Sequence, residues 1–197
     1  MEDSRRPVRE TVEFARIVAF TDGVFAIAIT LLVLSIEVPS TTPDSRLSEY
    51  LLDSWPQFFA YFLSFAVIGR FWIAHHQYFA LLHDFDRQLL ILNLAYLSLI
   101  VLVPFPTELL GDYGDETAAV VLYAAVIGTT ALLGRELVRY AVRSGHMRGD
   151  ARAAAAAAGS LLPTIVFYAS IPVALVSPLA AQLLWLVLLG QAVRRRR

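Results

Sequence analysis

The chain has no cysteine, only two methionines, and charge on just 17% of its 197 residues. Without cysteine it can form no disulfide, no thiolate metal site and no thiol nucleophile. Lysine is absent too, so all sixteen basic residues are arginine, a bias of composition rather than of chemistry. A soluble domain carries charge on roughly a quarter of its residues; here about a third of that complement is missing. A net charge of −1 removes any bulk electrostatic argument for nucleic acid or for a strongly charged partner. What the sequence does have is apolar surface, at 57% of residues, with the few charges bunched so that long apolar runs lie between them. That pattern excludes a disordered chain, a nucleic-acid-binding tail and an ordinary soluble enzyme. It predicts an all-helical integral membrane protein in a lipid bilayer.

A helix needs about 20 mostly apolar residues to cross the hydrocarbon core. Six segments qualify: 14–36, 51–74, 88–106, 117–140, 153–176 and 178–193. They predict a single six-span domain over 1–197. The fifth segment carries Pro163 and Pro172, and the sixth begins at Pro178, which predicts a tight hairpin between them. Five spans with one re-entrant piece is the alternative. The run Ala153 to Ala158 with Gly159 gives the fifth segment a small-residue face that would let helices approach closely. The first segment is too long for the apolar core of a signal peptide, and Ile36-Glu37-Val38-Pro39 offers no small-residue cleavage site.

Orientation follows from arginine near the span ends. With both termini inside, the cytoplasmic side holds every arginine except Arg46. The outer loops then carry Glu37, Asp44, Glu49, Asp53, Glu108, Asp112, Asp115 and Glu116. An odd number of spans would leave Arg194 to Arg197 on the wrong side.

The first span holds the least usual chemistry. Asp22 leads into an unbroken apolar run, where a carboxylate is costly unless paired or hydrogen-bonded. Arg16 lies six residues earlier, about 120° away around a helix, so Asp22 needs a partner from another helix. With Ile27 at 0°, Phe20 falls at about +20°, Leu31 at about +40°, Leu34 at about −20° and Thr30 at about −60°, whereas Asp22 falls at about −140°. One face is an apolar ladder with a hydroxyl beside it; the other turns a carboxylate into the protein. By periodicity alone such a ladder is a lipid-facing or core stripe.

The stretch RIVAFTDGVFAIAITLLVLSI resembles the Arg-x-x-x-Phe-Ser-Asp signature that opens the first helix of the transmembrane-protein-175 family of lysosomal and prokaryotic potassium channels. Arg16, Phe20, Thr21 and Asp22 match it, with Thr21 in place of serine, which keeps the hydroxyl. Ser35 stands where an acidic residue is common, and Glu37 is the nearby substitute. The six-span pattern, the inside termini and FWIAHHQYF in the second span also resemble the family. The resemblance implies a homotetramer conducting potassium ions across the inner membrane of a prokaryote, its pore lined by the first helix without a pore loop. No TVGYG filter is present; Gly111-Asp-Tyr-Gly114 is the nearest piece. The resemblance places a hydrophobic gate at Ile27, with Leu31 and Leu34 on the same face, and ion selection at Thr30. It places Arg16, Phe20, Thr21, Asp22, His75, His76 and Asn93 in packing around the signature.

Other constellations carry less. His75, His83 and a nearby carboxylate, Asp84 or Asp86, suggest a metal site, but four histidines and no HExxH motif argue against it. A histidine of the pair His75 and His76, together with Asn93, is the expected partner of Asp22. The same residues support a different class of function, a proton-coupled secondary transporter using Asp22 and His75 or His76. Gln57, Ser64, Asn93 and Ser98 read as polar links between helices. Arg135, Arg139 and Arg143, spaced by four, fit a cytoplasmic helix end near anionic lipid. No nucleophile–base or cofactor motif points to an enzyme.

Overall fold

The structure, a computed structural model, describes residues 6–36, 47–147 and 161–194. Helix α1 spans Arg6–Leu31 and tightens into a 3₁₀ turn at Leu32–Ser35. A short α2, Leu47–Asp53, leads into α3, Trp55–Phe79. Pro56 sits in the first turn of α3, where its missing N–H is not needed. Helix α4, Arg87–Leu102, starts at an Asp86 cap that accepts from the Leu89 amide at 2.7 Å. It pauses at Val103 and resumes as α5, Pro104–Asp112. The prolines at 104 and 106 remove ladder donors there, and the Thr107 hydroxyl donates to the Val103 carbonyl at 2.8 Å. Helix α6, Thr117–Arg143, ends in a Schellman turn, with the His146 amide reaching the Ala141 carbonyl at 3.0 Å. Gly145 takes the left-handed position of that turn, φ 77°. Helices α7, Leu162–Ala174, and α8, Pro178–Arg194, complete the chain. The described residues form no strand, only an isolated antiparallel bridge between Leu82 and Met147.

Among the described residues, four helical units are long and apolar enough to cross a membrane: Val12–Ser35, Trp55–Phe79, Arg87–Asp112 and Thr117–Arg143. The second runs five residues past the expected 74, and the third six past 106, because neither the histidine pair nor the proline break ends the helix. The hairpin at Pro178 is present between α7 and α8. Residues 153–160, with their small-residue face, lie outside the described residues, as do Glu37, Asp44 and Arg46.

Helix α6 is the centre of the packing: α7 and α4 lie along it, and α1 lies against α3 and α4. Phe25, Leu32, Ile68, Leu89, Ile127 and Trp185 are fully buried in the core. At Gly134 of α6 a Cβ would stand 3.0 Å from the Tyr96 ring, so the lack of a side chain sets the α4–α6 spacing. Several interior hydroxyls pair with one another, which suits a membrane core, while Tyr78 Oη and Thr164 Oγ1 are buried without a hydrogen-bond partner among the described residues. Ser64 lies 3.0 Å from the Tyr123 hydroxyl and 2.8 Å from that of Thr107, linking α3, α5 and α6. Trp185 Nε1 donates to Ser170 Oγ at 2.8 Å. Gln57 Nε2 reaches Asp112 Oδ1 at 2.8 Å. Ser98 departs from the expected interhelical role: its hydroxyl donates to Ala95 of its own helix, 2.8 Å away.

Candidate functional site

Helix α1 meets the rest of the chain along one side only. Thr21, Phe25, Ala28, Leu32 and Ser35 point inward and are buried. Ile27 (58% exposed), Leu31 (38%) and Leu34 (71%) face out, together with Phe20, Gly23 and Thr30. The ladder read from the sequence is therefore an uncovered face of the subunit and no part of its core. The Thr30 hydroxyl donates to the Ile27 carbonyl at 2.8 Å, which leaves its oxygen lone pairs turned outward. Winding changes one detail. An uninterrupted α-helix would set Leu34 about 60° from Leu31. The 3₁₀ turn eclipses residues three apart, which is why Leu32 and Ser35 are both buried and Leu31 and Leu34 both exposed.

Behind this face, three buried polar side chains from three helices form a chain. Asn93 of α4, fully buried, donates through Nδ2 to Thr21 Oγ1 of α1 at 3.1 Å. Its Oδ1 lies 2.9 Å from His75 Nε2 of α3. An amide oxygen only accepts, so His75 donates there and carries its proton on Nε2. The His75 ring stacks on Phe79 at 4.0 Å and lies parallel to Tyr96 at 5.6 Å, with Phe25 5.7 Å away.

Asp22 does find its partner on another helix, but that partner is neither histidine nor Asn93. Trp72 Nε1 of α3 donates to Asp22 Oδ1 at 3.0 Å. The reason is depth: Asp22 is half-buried beside α3, one residue from Thr21, which occupies the inward position and takes the Asn93 bond. His76 is exposed and lies against the Trp72 ring, 5.5 Å between centroids. No hydrogen bond joins Asp22 to His75 or His76 among the described residues, so the two halves of a proton relay are held by separate neutral partners. Trp72 lies within the FWIAHHQYF stretch, but the sequence does not single it out as a partner for Asp22, since an aromatic at a helix surface reads as lipid-facing.

Arg16 and Phe20 do not pack inside the subunit. With Glu13, Ile17, Leu90, Asn93 and Leu94 they line an open cleft of about 350 Å³ between α1 and α4. His75 and His83 take separate partners. His75 is enclosed in the aromatic cluster, while His83 bonds the Gly145 carbonyl at 2.9 Å. Among the described residues no three ligand side chains gather to hold a metal ion.

A loop cluster that the sequence did not suggest lies where α3, α4 and α6 end or begin. His146 contacts Asp84 through Nδ1, and its Nε2 stands 3.2 Å from Asp86 Oδ2, an ion-pair distance without hydrogen-bond alignment. The Tyr140 hydroxyl donates to Asp86 Oδ2 at 2.5 Å. The Tyr140 bond, joined by the Leu89 amide and His146, outweighs desolvation and holds the Asp86 carboxyl below the usual range.

Comparison with known proteins places this architecture. Residues 16–104 match the family described as the endosomal/lysosomal potassium channel TMEM175. A potassium channel of Streptomyces collinus is 42% identical over 151 residues, 73% of each chain. One of Chamaesiphon minutus is 38% identical over 143 residues, 70% of each. The crystal structure of a lysosomal potassium-selective channel TMEM175 homolog from the same species aligns with a TM-score of 0.82 at 32% identity, covering 93% of this chain and 98% of that one. With that identity over most of its length and that fold, the chain belongs to the TMEM175 family.

Proposed function

We infer that the protein is a potassium-conducting cation channel whose pore is lined by α1. Its working form is a homotetramer of six-span subunits in a bacterial inner membrane, with the arginine-rich end and both termini in the cytoplasm. The relatives described as potassium channels support the ion. The observation that carries the pore assignment is the outward face of α1, which runs from Phe20 to Leu34 and is left exposed among the described residues. Lipid tails are as apolar as this face, so close side-chain packing, not exclusion of water, brings four copies to one axis.

In this reading Ile27, Leu31 and Leu34 form stacked apolar rings. A narrow apolar ring excludes ions because stripping their water is uncompensated, and it opens by widening and wetting. Four Thr30 oxygens lie between the rings. They replace part of a hydration shell, which favours potassium because it gives up water more easily than sodium. Such a site has fewer oxygens than stacked carbonyls and selects less strongly. Arg16 and Phe20, unpacked in the isolated subunit, meet the neighbouring subunit, while Thr21, Asn93 and His75 hold α1 in place from behind.

The test is Ile27→Asn, recorded in planar bilayers at matched amounts of oligomer. Side chains of nearly equal volume isolate wetting from widening, and basal open probability is expected to rise several-fold. An intact tetramer with unchanged or lower open probability would remove Ile27 from the gate. Opposed potassium and sodium gradients give the ion preference in the same recordings. Flux that saturates at low turnover and follows a proton gradient would overturn the channel reading.

A further inference from the structure

The His146 cluster plays no part in the reading above, yet it gathers three ion-pair contacts: His83 with Asp84, and His146 with Asp84 and Asp86. It joins two pieces of chain far apart in sequence. From the turn between α3 and α4 come His83, Asp84 and Asp86; from the end of α6 come Tyr140 and His146. Backbone contacts register the two: the His83 amide donates to the His146 carbonyl at 3.1 Å, beside the Leu82–Met147 bridge. Asp86 is also the cap of α4, the helix whose Asn93 holds α1.

We propose that His146 is the pin of a proton-operated clasp that fastens the α3–α4 turn to the end of α6 and opens when the imidazole loses its proton.

The geometry supplies the reason. Each ring nitrogen of His146 faces a different carboxylate, Asp84 at Nδ1 and Asp86 at Nε2. Only the imidazolium carries a proton on both nitrogens. Neutral imidazole leaves one carboxylate facing a lone pair. His83 differs: its Nε2 donates to the Gly145 carbonyl, a bond that survives in either protonation state, and its Nδ1 lies 3.6 Å from Asp84. The other titratable groups around the ring are Tyr140 of α6, bonded to Asp86, and Tyr78 of α3, which feels the Asp86 charge. Arg139 of α6 is paired instead with Glu136 at 3.6 Å.

Partial burial works against the His146 charge, but the two carboxylates outweigh it and raise its pKa above the usual 6.5. A group raised on folding contributes fully below its unfolded pKa, and its contribution is lost as pH rises through the folded value. Asp86, held low, sets the other limit: its contribution is lost only as pH falls below the normal carboxylate range. The clasp is therefore closed at mildly acidic pH and opens as pH rises through a value above the ordinary imidazole range. Any effect on ion flow rests on the pore reading; the clasp itself does not.

Hydrogen exchange on the full chain in lipid nanodiscs tests it, with rates corrected for the intrinsic pH dependence. The reporters are the amides of His83, which crosses the clasp, and Leu89, which reads the Asp86 cap. From pH 6 to pH 9 their corrected exchange is expected to rise about fivefold, the weight of one hydrogen bond near 1 kcal/mol. His146→Gln is expected to exchange at the fast level at both pH values, His83→Gln to keep the step, and Asp84→Asn to move it to lower pH. A flat wild-type profile, or a step that persists in His146→Gln, would overturn the proposal. If His146→Gln does not fold, the wild-type step and its displacement in Asp84→Asn decide the matter.

Discussion

The two faces of α1 differ in side-chain size, polarity and burial, with more of the large apolar side chains on the exposed side. The inward face alternates small or hydroxylated residues, Thr21, Ala28 and Ser35, with the large Phe25 and Leu32, and each is buried against α3, α4 or α5. The outward face leaves Phe20, Ile27, Leu31 and Leu34 exposed among the described residues. In a soluble helix the polar side would mark the exterior. In a membrane that sign is lost, and what marks the interior is the pairing of polar atoms. Thr21 and Asp22 differ by one residue and 100° of rotation, yet one joins a fully buried chain and the other a half-exposed bond to Trp72.

That contrast can be broken from the inside first. Asn93→Ala strips the partner from both Thr21 and His75, leaving two buried groups unpaired. We expect a loss of about 2–3 kcal/mol, seen as a lower unfolding temperature in detergent, with ion preference unchanged in any surviving channels. A shift in preference without loss of stability would mean that this chain faces the ions. Asp22→Ala removes a single half-exposed bond, so the expected cost is smaller, at most about 1 kcal/mol. It should appear as weaker assembly on size exclusion, with the bi-ionic reversal potential unmoved. Thr30→Val touches only the outer face. Its hydroxyl bonds within its own helix, so thermal stability should change by less than about 0.5 kcal/mol. The reversal potential between potassium and sodium should move toward zero; a constant value would take Thr30 off the ion path.

Much of this was legible in the sequence because apolar runs and a periodic ladder are local signals. The first-helix signature, the four of six expected spans that appear as long apolar helices among the described residues, and the Pro178 hairpin were read from residues within a few turns of each other. The partner of Asp22 was not, since Trp72 lies fifty residues away and its indole N–H is one donor on a mostly apolar ring. Asn93 was identified as an interior tether but assigned to the wrong neighbour, because spacing cannot distinguish Thr21 from Asp22 without the rotation of α1 against α4. The His146 cluster was hidden for the same reason: its aspartates and its histidine are some sixty residues apart. Span ends were misplaced where helices continued past charged or proline positions that the bundle tolerates.

The 3₁₀ turn at Leu32–Ser35 makes the outer end of α1 a screw thread of different pitch from the rest. Four residues advance about 8 Å in this winding and about 6 Å in an α-helix, since the rise falls from about 2.0 to 1.5 Å per residue. Rewinding the turn would therefore shorten the helix by about 2 Å and swing Leu34 by about 60° relative to Leu31. Length and azimuth are geared together at this point. Leu34 cannot be drawn along the helix axis without also being rotated out of line with Leu31.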